Sequence, residues 1–277
     1  NEELNLNFSG DNMTYYDSSL SNLRLITSRP LGNFVIKQVY YAGSHTTKGA
    51  NFRDAFFEIY NNSNELLYAD SLCFAIAVGK TNNNTGDYLL ANLQFDWSKS
   101  LNMSALGDAN KDYFYAKAIF MIPSNGAGTG YPIQPGQSFV IAGSALDHTK
   151  PYALNSDKVQ GIEDASLTID LSNADFEVYM YPYEQKVQPG RAKFASDIDN
   201  PAVPDVETLF ATGMRDLIFN PQGKDSYIIF KVDGSIDPNT FPTYADPTSR
   251  IISEKNNPIP SSAHEVCAGC RRSVFSH

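Results

Sequence analysis

The chain has 277 residues, 42% hydrophobic and 19% charged, which is the composition of a folded protein and not of a disordered one. A net charge of −10 and a pI near 4.8 exclude the broad basic surface that nucleic acid or an anionic membrane would require. The longest apolar runs, such as Leu72 to Gly79, fall far short of the roughly 18 residues that span a bilayer.

In chain order, residues 1–32 come first as an Asn- and Ser-rich stretch whose one apolar patch is Leu23-Arg-Leu-Ile26. They are expected to be an attached segment or the tail of a preceding domain, ahead of one domain over 33–277. The start, Asn1-Glu2-Glu3-Leu4-Asn5, has neither a basic nor a hydrophobic segment, as expected of a cytosolic chain or of one whose leader has been removed. Phe34 to Tyr41 reads as a strand, and so does Ala55 to Tyr60. The second runs into Asn61-Asn62-Ser63-Asn64, short polar side chains that favour a tight turn. Leu72 to Val78 is a continuous apolar run of strand length, expected to be covered on both faces. Tyr113 to Ile122 predicts a longer strand. Pro135-Gly136 suits the centre of a type II turn leading into a strand over 138–142. Later predicted strands are Leu167–Leu171, Phe176–Tyr181, Leu217–Asn220 and Tyr227–Val232. Single helical turns are expected at Ser144–His148 and Pro204–Phe210. No stretch of 12 or more residues carries the 3.6-residue apolar stripe of a substantial helix. With 17 Phe and 16 Tyr beside the turn-forming Asn, Gly and Pro, the pattern predicts an all-β sandwich or barrel.

Three segments carry a family resemblance. Phe57-Glu-Ile-Tyr-Asn-Asn-Ser-Asn64 followed by Leu72, Ile133-Gln-Pro-Gly-Gln-Ser-Phe-Val-Ile-Ala142, and Leu171-Ser-Asn-Ala-Asp-Phe-Glu-Val-Tyr179 together resemble the strand signatures of lamin-tail-type domains. With Val35 to Gly43, Asp199 to Pro204 and Arg271 to Val274, the set most resembles uncharacterised lamin-tail-like cell-envelope proteins of Bacteroides-type gut bacteria. The resemblance implies an immunoglobulin-like β-sandwich, export to the cell surface or periplasm, and an outer-membrane lipoprotein whose lipid anchor lies upstream of Asn1. It attaches no catalytic residue. Long stretches at about 81–130 and 186–212 depart from the compact pattern as insertions, where a particular function is expected to sit.

Several side-chain groupings bear on chemistry. Asp108, Asn110 and Asp112 place oxygens at alternate positions, as calcium loops begin, but Tyr113 and Ile119 stand where such a loop needs Gly and Glu. A solvated polar turn is the simpler expectation, and calcium is the one ion the spacing admits; no other cofactor is implied. Asp197, Asp199 and Asn200 form a second oxygen-rich group before Pro201 and Pro204. His264, Cys267 and Cys270 offer three soft ligands where structural zinc takes four, and Cys73 lies in an apolar run. A disulfide or two thiols is the expectation for Cys267 and Cys270. Ser144, Asp147 and His148 share one turn, whereas a catalytic triad converges from separate segments. Trp97, Tyr181 and Tyr183 are the candidate binding aromatics, able to stack on a sugar face if exposed. The expected function is a non-enzymatic binding or assembly module with a glycan or an envelope protein as partner. The alternative is a carboxylate- or metal-dependent polysaccharide hydrolase.

Overall fold

The computed structural model describes residues 33–41, 45, 47–77, 89–92, 96–99, 108, 110, 116–223 and 225–231, with the backbone of 114–115, 243–245 and 264–268. The chain is mostly β-sheet with little helix. Alternation in the sequence becomes alternation in space most clearly at β2 (Phe56–Asn61), where Phe57, Ile59 and Asn61 are buried between half-buried neighbours. β2 pairs antiparallel with β1 (Phe34–Tyr40) on one side. On its other side lies β7 (Ser138–Ala142), and β10 (Phe176–Glu177) runs parallel to β7 to complete a four-stranded sheet.

A six-stranded sheet faces it. Its centre is β4 (Cys73–Ala77) paired with β5 (Phe114–Met121), both antiparallel. β12 (Ser226–Phe230) flanks β4. The far edge of β5 is shared, with β11 (Glu207–Ala211) pairing at one end and β14 (His264–Ala268) at the other; β13 (Thr243–Ala245) pairs with β14. Two short ribbons complete the β-structure: β3 (Leu67–Tyr68) with β6 (Pro132–Ile133), and β8 (Tyr152–Ala153) with β9 (Val159–Gln160). The helix α1 spans Tyr181–Val187.

The two main sheets meet across one apolar interior. Phe57 and Ile59 of β2, Phe139 and Ile141 of β7 and Phe176 of β10 pack against Phe74 and Ile76 of β4 and Phe120 of β5. Rings interlock at the centre, with Phe57 stacked on Phe74 at 5.4 Å and Phe74 on Phe120 at 4.8 Å. All five residues of β4 are buried, as its continuous apolar run predicts. Phe74 and Ile76 turn to the shared interior. Cys73 and Ala75 turn the other way, onto Ala116, Ile119 and Phe230.

The motifs that carried the resemblance are structural here. Asn61, buried at the end of β2, donates from Nδ2 to Glu65 O and Ile133 O, both at 2.8 Å, and accepts from Ser63 at Oδ1. Gly136 at φ +76 makes the predicted turn, and its N–H reaches Asn61 O at 3.1 Å. Glu58 faces outward to Lys37 at 2.8 Å. β5 lies within 81–130 and β11 within 186–212, so both stretches contribute strands to the second sheet. Five local expectations differ. Ser144–His148 is a non-helical bend that carries an isolated bridge at Asp147, its backbone tied to neighbouring segments. Leu167–Leu171 holds the end of a single-turn helix and an isolated bridge at Asp170. Leu217–Asn220 is irregular, and Phe176–Tyr181 keeps only two residues of strand before α1. Pro204–Phe210 leads into β11, because the half-open edge of β5 offers Glu207–Ala211 a hydrogen-bonding partner that a lone helical turn lacks.

Candidate functional site

Glu177 is the last residue of β10, a carboxylate within the otherwise apolar run Phe176 to Met180, and it is 0% exposed. Its two oxygens are held by backbone. Oε2 accepts from Ala145 N at 2.7 Å and Oε1 from Asn200 N at 2.5 Å. Asn200 closes the circle by donating from Nδ2 to Ala145 O at 2.7 Å. The main chain of Glu177 is clamped as well, its N–H on Pro204 O and its carbonyl receiving Val206 N. This pairing sets Asp205 beside Glu177. Asn200, held on Glu177 by its own N–H, keeps its neighbour Asp199 at the same spot. The carboxylate oxygens of Glu177, Asp199 and Asp205 consequently lie within 4.8 Å of one another.

Three acids at that separation repel, and burial raises the cost. Burial pushes the Glu177 carboxyl up to about 7, outweighing the two N–H donors, with Asp205 and Asp199 adding to the rise. Asp205 is pushed up to about 6 by burial and then by Asp199. Its Oδ1 is buried and accepts no hydrogen bond. An all-oxygen set of this kind suits a hard divalent cation such as calcium or magnesium and not zinc. Glu177, Asp199 and Asp205 are the side chains that can hold one, with carbonyls and water completing its shell.

Asp197, two residues earlier, does a second holding task. Its oxygens accept from Met180 N at 2.9 Å and Tyr181 N at 2.8 Å, tying the start of α1 to this loop. Burial pushes its carboxyl up to about 7 despite those donors. Lys193 Nζ then sits over the rings of Tyr179 and Tyr181, at 5.6 and 5.2 Å. Within α1, buried Glu184 receives Arg215 at both oxygens, from Nε at 2.6 Å and Nη2 at 2.9 Å. Arg215 also donates to Ala192 O and covers the Phe194 ring at 4.9 Å. The turn 144–148, α1 and the 190–205 loop thus form one connected surface.

The expected residues fall in different places. Tyr181 is on that surface, half-buried beneath Lys193. Tyr183 points away to β11, where its hydroxyl accepts from Ala211 N at 3.1 Å and donates to Ala211 O at 3.3 Å. Trp97 opens a single-turn helix, half-buried, and its N–H donates to Asn110 Oδ1 at 2.7 Å. Asn110 donates in turn to Asp96 at 3.0 Å and, from its N–H, to Asp108 at 3.0 Å. These oxygens serve a polar turn; Asp112 lies outside the described residues. Asp108 and Asn110 are not members of the converging carboxylate group. Ser144, Asp147 and His148 do share a turn, yet the His148 ring faces the carbonyl of Ser144 and Ser144 Oγ donates to Ile198 O. His264 and Cys267 lie on β14, with Cys267 opposite Tyr115, while Cys270 is outside the described residues. Sequence reasoning noticed Asp199 and missed Glu177 and Asp205. The signal was a lone acid inside an apolar strand.

Residues 134–262 match the model of DUF4876, a family described as a protein of unknown function. That is a little under half of the chain. The matched segment includes Glu177, Asp199 and Asp205. A crystal structure of a DUF4876 family protein from Bacteroides thetaiotaomicron is similar, with a TM-score of 0.53 and 24% sequence identity. The likeness covers 85% of this chain and 50% of that one, so the chain spans about half the length of the solved structure. At that identity it speaks for the fold. No curated protein matches the chain.

Proposed function

We propose that this protein is a non-enzymatic binding or assembly module of an exported cell-envelope protein, built on an immunoglobulin-like, lamin-tail-type sandwich. The observation that carries the reading is the use made of buried acids. Glu177 and Asp197 bind the backbone of the 144–148 turn, the 197–200 loop and the start of α1, fixing irregular segments as a rigid surface. Rigid loops on a β scaffold are how recognition surfaces avoid losing affinity to loop ordering. Tyr181 with Lys193 supplies an aromatic and cationic contact on that surface, suited to a sugar face or an envelope protein. Support for the sandwich type comes from Asn61 and Gly136, which give the resembled motifs structural work. Attachment by a lipid upstream of Asn1 belongs to the same reading. The test is a glycan array together with a pull-down from envelope extract, using wild type and Tyr181→Ala. A ligand held by wild type and lost by the variant is expected, and the absence of any ligand removes the reading.

A second reading is favoured by one observation, the meeting of Glu177, Asp199 and Asp205 with two carboxyls shifted toward neutral pH. Shifted acids in pairs are what a carboxylate- or metal-dependent polysaccharide hydrolase uses. It predicts sugar release that Glu177→Gln abolishes. Release unaffected by that substitution, or no release at all, sinks it.

A further inference from the structure

The turn 144–148 is joined to the binding surface through both sides of Ala145 and through Ser144. What closes the turn is His148. Its N–H donates to Leu146 O at 3.1 Å, and its Nε2 lies 3.0 Å from Ser144 O. A carbonyl only accepts, so Nε2 carries the proton and Nδ1 is bare. The ring is 0% exposed and packs edge-on against Tyr152 at 5.1 Å. Nδ1 is buried with no hydrogen-bonding partner.

The charges facing this ring come from each element around it. Asp54 comes from the turn before β2, with Arg53 beside it engaged by Asp216 at 3.1 Å. Asp147 is on the same turn and is paired to Lys150 at 2.5 Å; Asp170 bridges Asp147 from the opposite segment. β8 contributes the Tyr152 phenol. The three carboxylates favour the charged ring. Burial is the larger influence and holds the imidazole below its ordinary value.

We propose that His148 is a proton-operated latch: with Nδ1 bare, the 144–148 turn holds Glu177 and the 197–200 loop in place, and a proton on Nδ1 loosens the turn and the surface with it. A new N–H at Nδ1 has no acceptor in the closed turn, whereas opening gives it water. Between the ordinary and the folded pKa of the ring, the opening equilibrium therefore gains up to about tenfold per pH unit of acidification. The latch rests on the geometry of the surface and not on the identity of what binds there.

The experiment takes the whole chain in EDTA, follows the His148 ring by NMR titration, and measures amide exchange at Ala145 and Asn200 at pH ~7.5 and ~5. His148→Gln retains an N–H for Ser144 O but cannot titrate, while Glu177 still can. The expected result is a His148 midpoint below that of a free histidine. After correction for intrinsic rate, the Ala145 and Asn200 amides should open about tenfold more readily at the lower pH in wild type and not in the variant. A midpoint at or above the free value, or the same pH response in both proteins, overturns the latch. If the variant does not fold, the wild-type midpoint decides alone. A failed ligand search leaves these exchange results untouched, so the two proposals fail separately.

Discussion

Asn61 shows how much a single side chain carries in this protein. It is buried, satisfies two carbonyls from different segments and receives Ser63, so truncation strands several polar groups at once. Asn61→Ala is expected to lower unfolding free energy by about 2–3 kcal/mol in chemical denaturation. A cost below about 0.5 kcal/mol contradicts the clamp. Asp147 gives a titration at this scale. Its hydrogen bond from Lys150, then that from the Thr149 hydroxyl, hold its carboxyl down to about 2. The folded value is depressed, so the contribution is present above the unfolded pKa and is lost as pH falls through about 2. Lys150→Ala should raise the NMR midpoint of Asp147. Residues of this kind were partly legible. Asn61 and Gly136 announced turns by type, because amide side chains and glycine have few other uses there. Glu177 did not announce its partners, since Ala145 and Asn200 lie 32 and 23 positions away.

At the scale of elements, the strands were legible where apolar residues alternate or run unbroken. β1, β2, β4, β5, β7 and β12 lie where Phe, Ile, Val and Ala cluster between turn formers. α1 was not legible. It has seven residues, begins at Tyr181-Pro182, and lacks an apolar stripe, because what anchors it is Glu184 on Arg215 and Tyr183 on Ala211. Its stability is tertiary and not a matter of propensity. Arg215→Ala should therefore cost about 2 kcal/mol, somewhat under the usual value for a broken buried pair. The reason is that the Arg215 side chain is 25% exposed and Arg191 remains 3.6 Å from Glu184. The loss should appear first as faster amide exchange across 181–188. Unchanged exchange there speaks against the anchor.

At the scale of the whole molecule, stability should depend on pH and on divalent cations. Glu177 and Asp205 have folded values of about 7 and about 6 against ordinary values of 4.5 and 3.8. A raised value means that protons favour the folded state. That stabilisation is complete below the unfolded values and is lost as pH rises through 6 to 7. His148 has the opposite sign, losing stability as pH falls below its ordinary value. In EDTA, Glu177→Gln should thus flatten the decline in melting temperature between pH ~5 and ~8. Calcium at ten times its Kd should raise the melting temperature at pH ~8 by about 3 °C in wild type, and not in Asp205→Asn. No shift in wild type removes the cation. The mostly-β architecture was legible from composition and periodicity. The carboxylate group was not, because its three members meet only through the pairing of β10 with the 204–206 backbone.

The parallel run of β10 beside β7 has a kinetic consequence. Parallel neighbours cannot be joined by a hairpin, so 33 residues, 143–175, must loop out and return before Phe176 finds Ile141. The antiparallel pair of β1 and β2 is joined across residues 41–55 alone. Since that loop's closure entropy is lost before its contacts are gained, the end bearing Glu177 should order after the β1–β2 pair and unravel before it. A newly made chain would accordingly join its first two strands before the buried acid at the end of β10 meets its backbone donors.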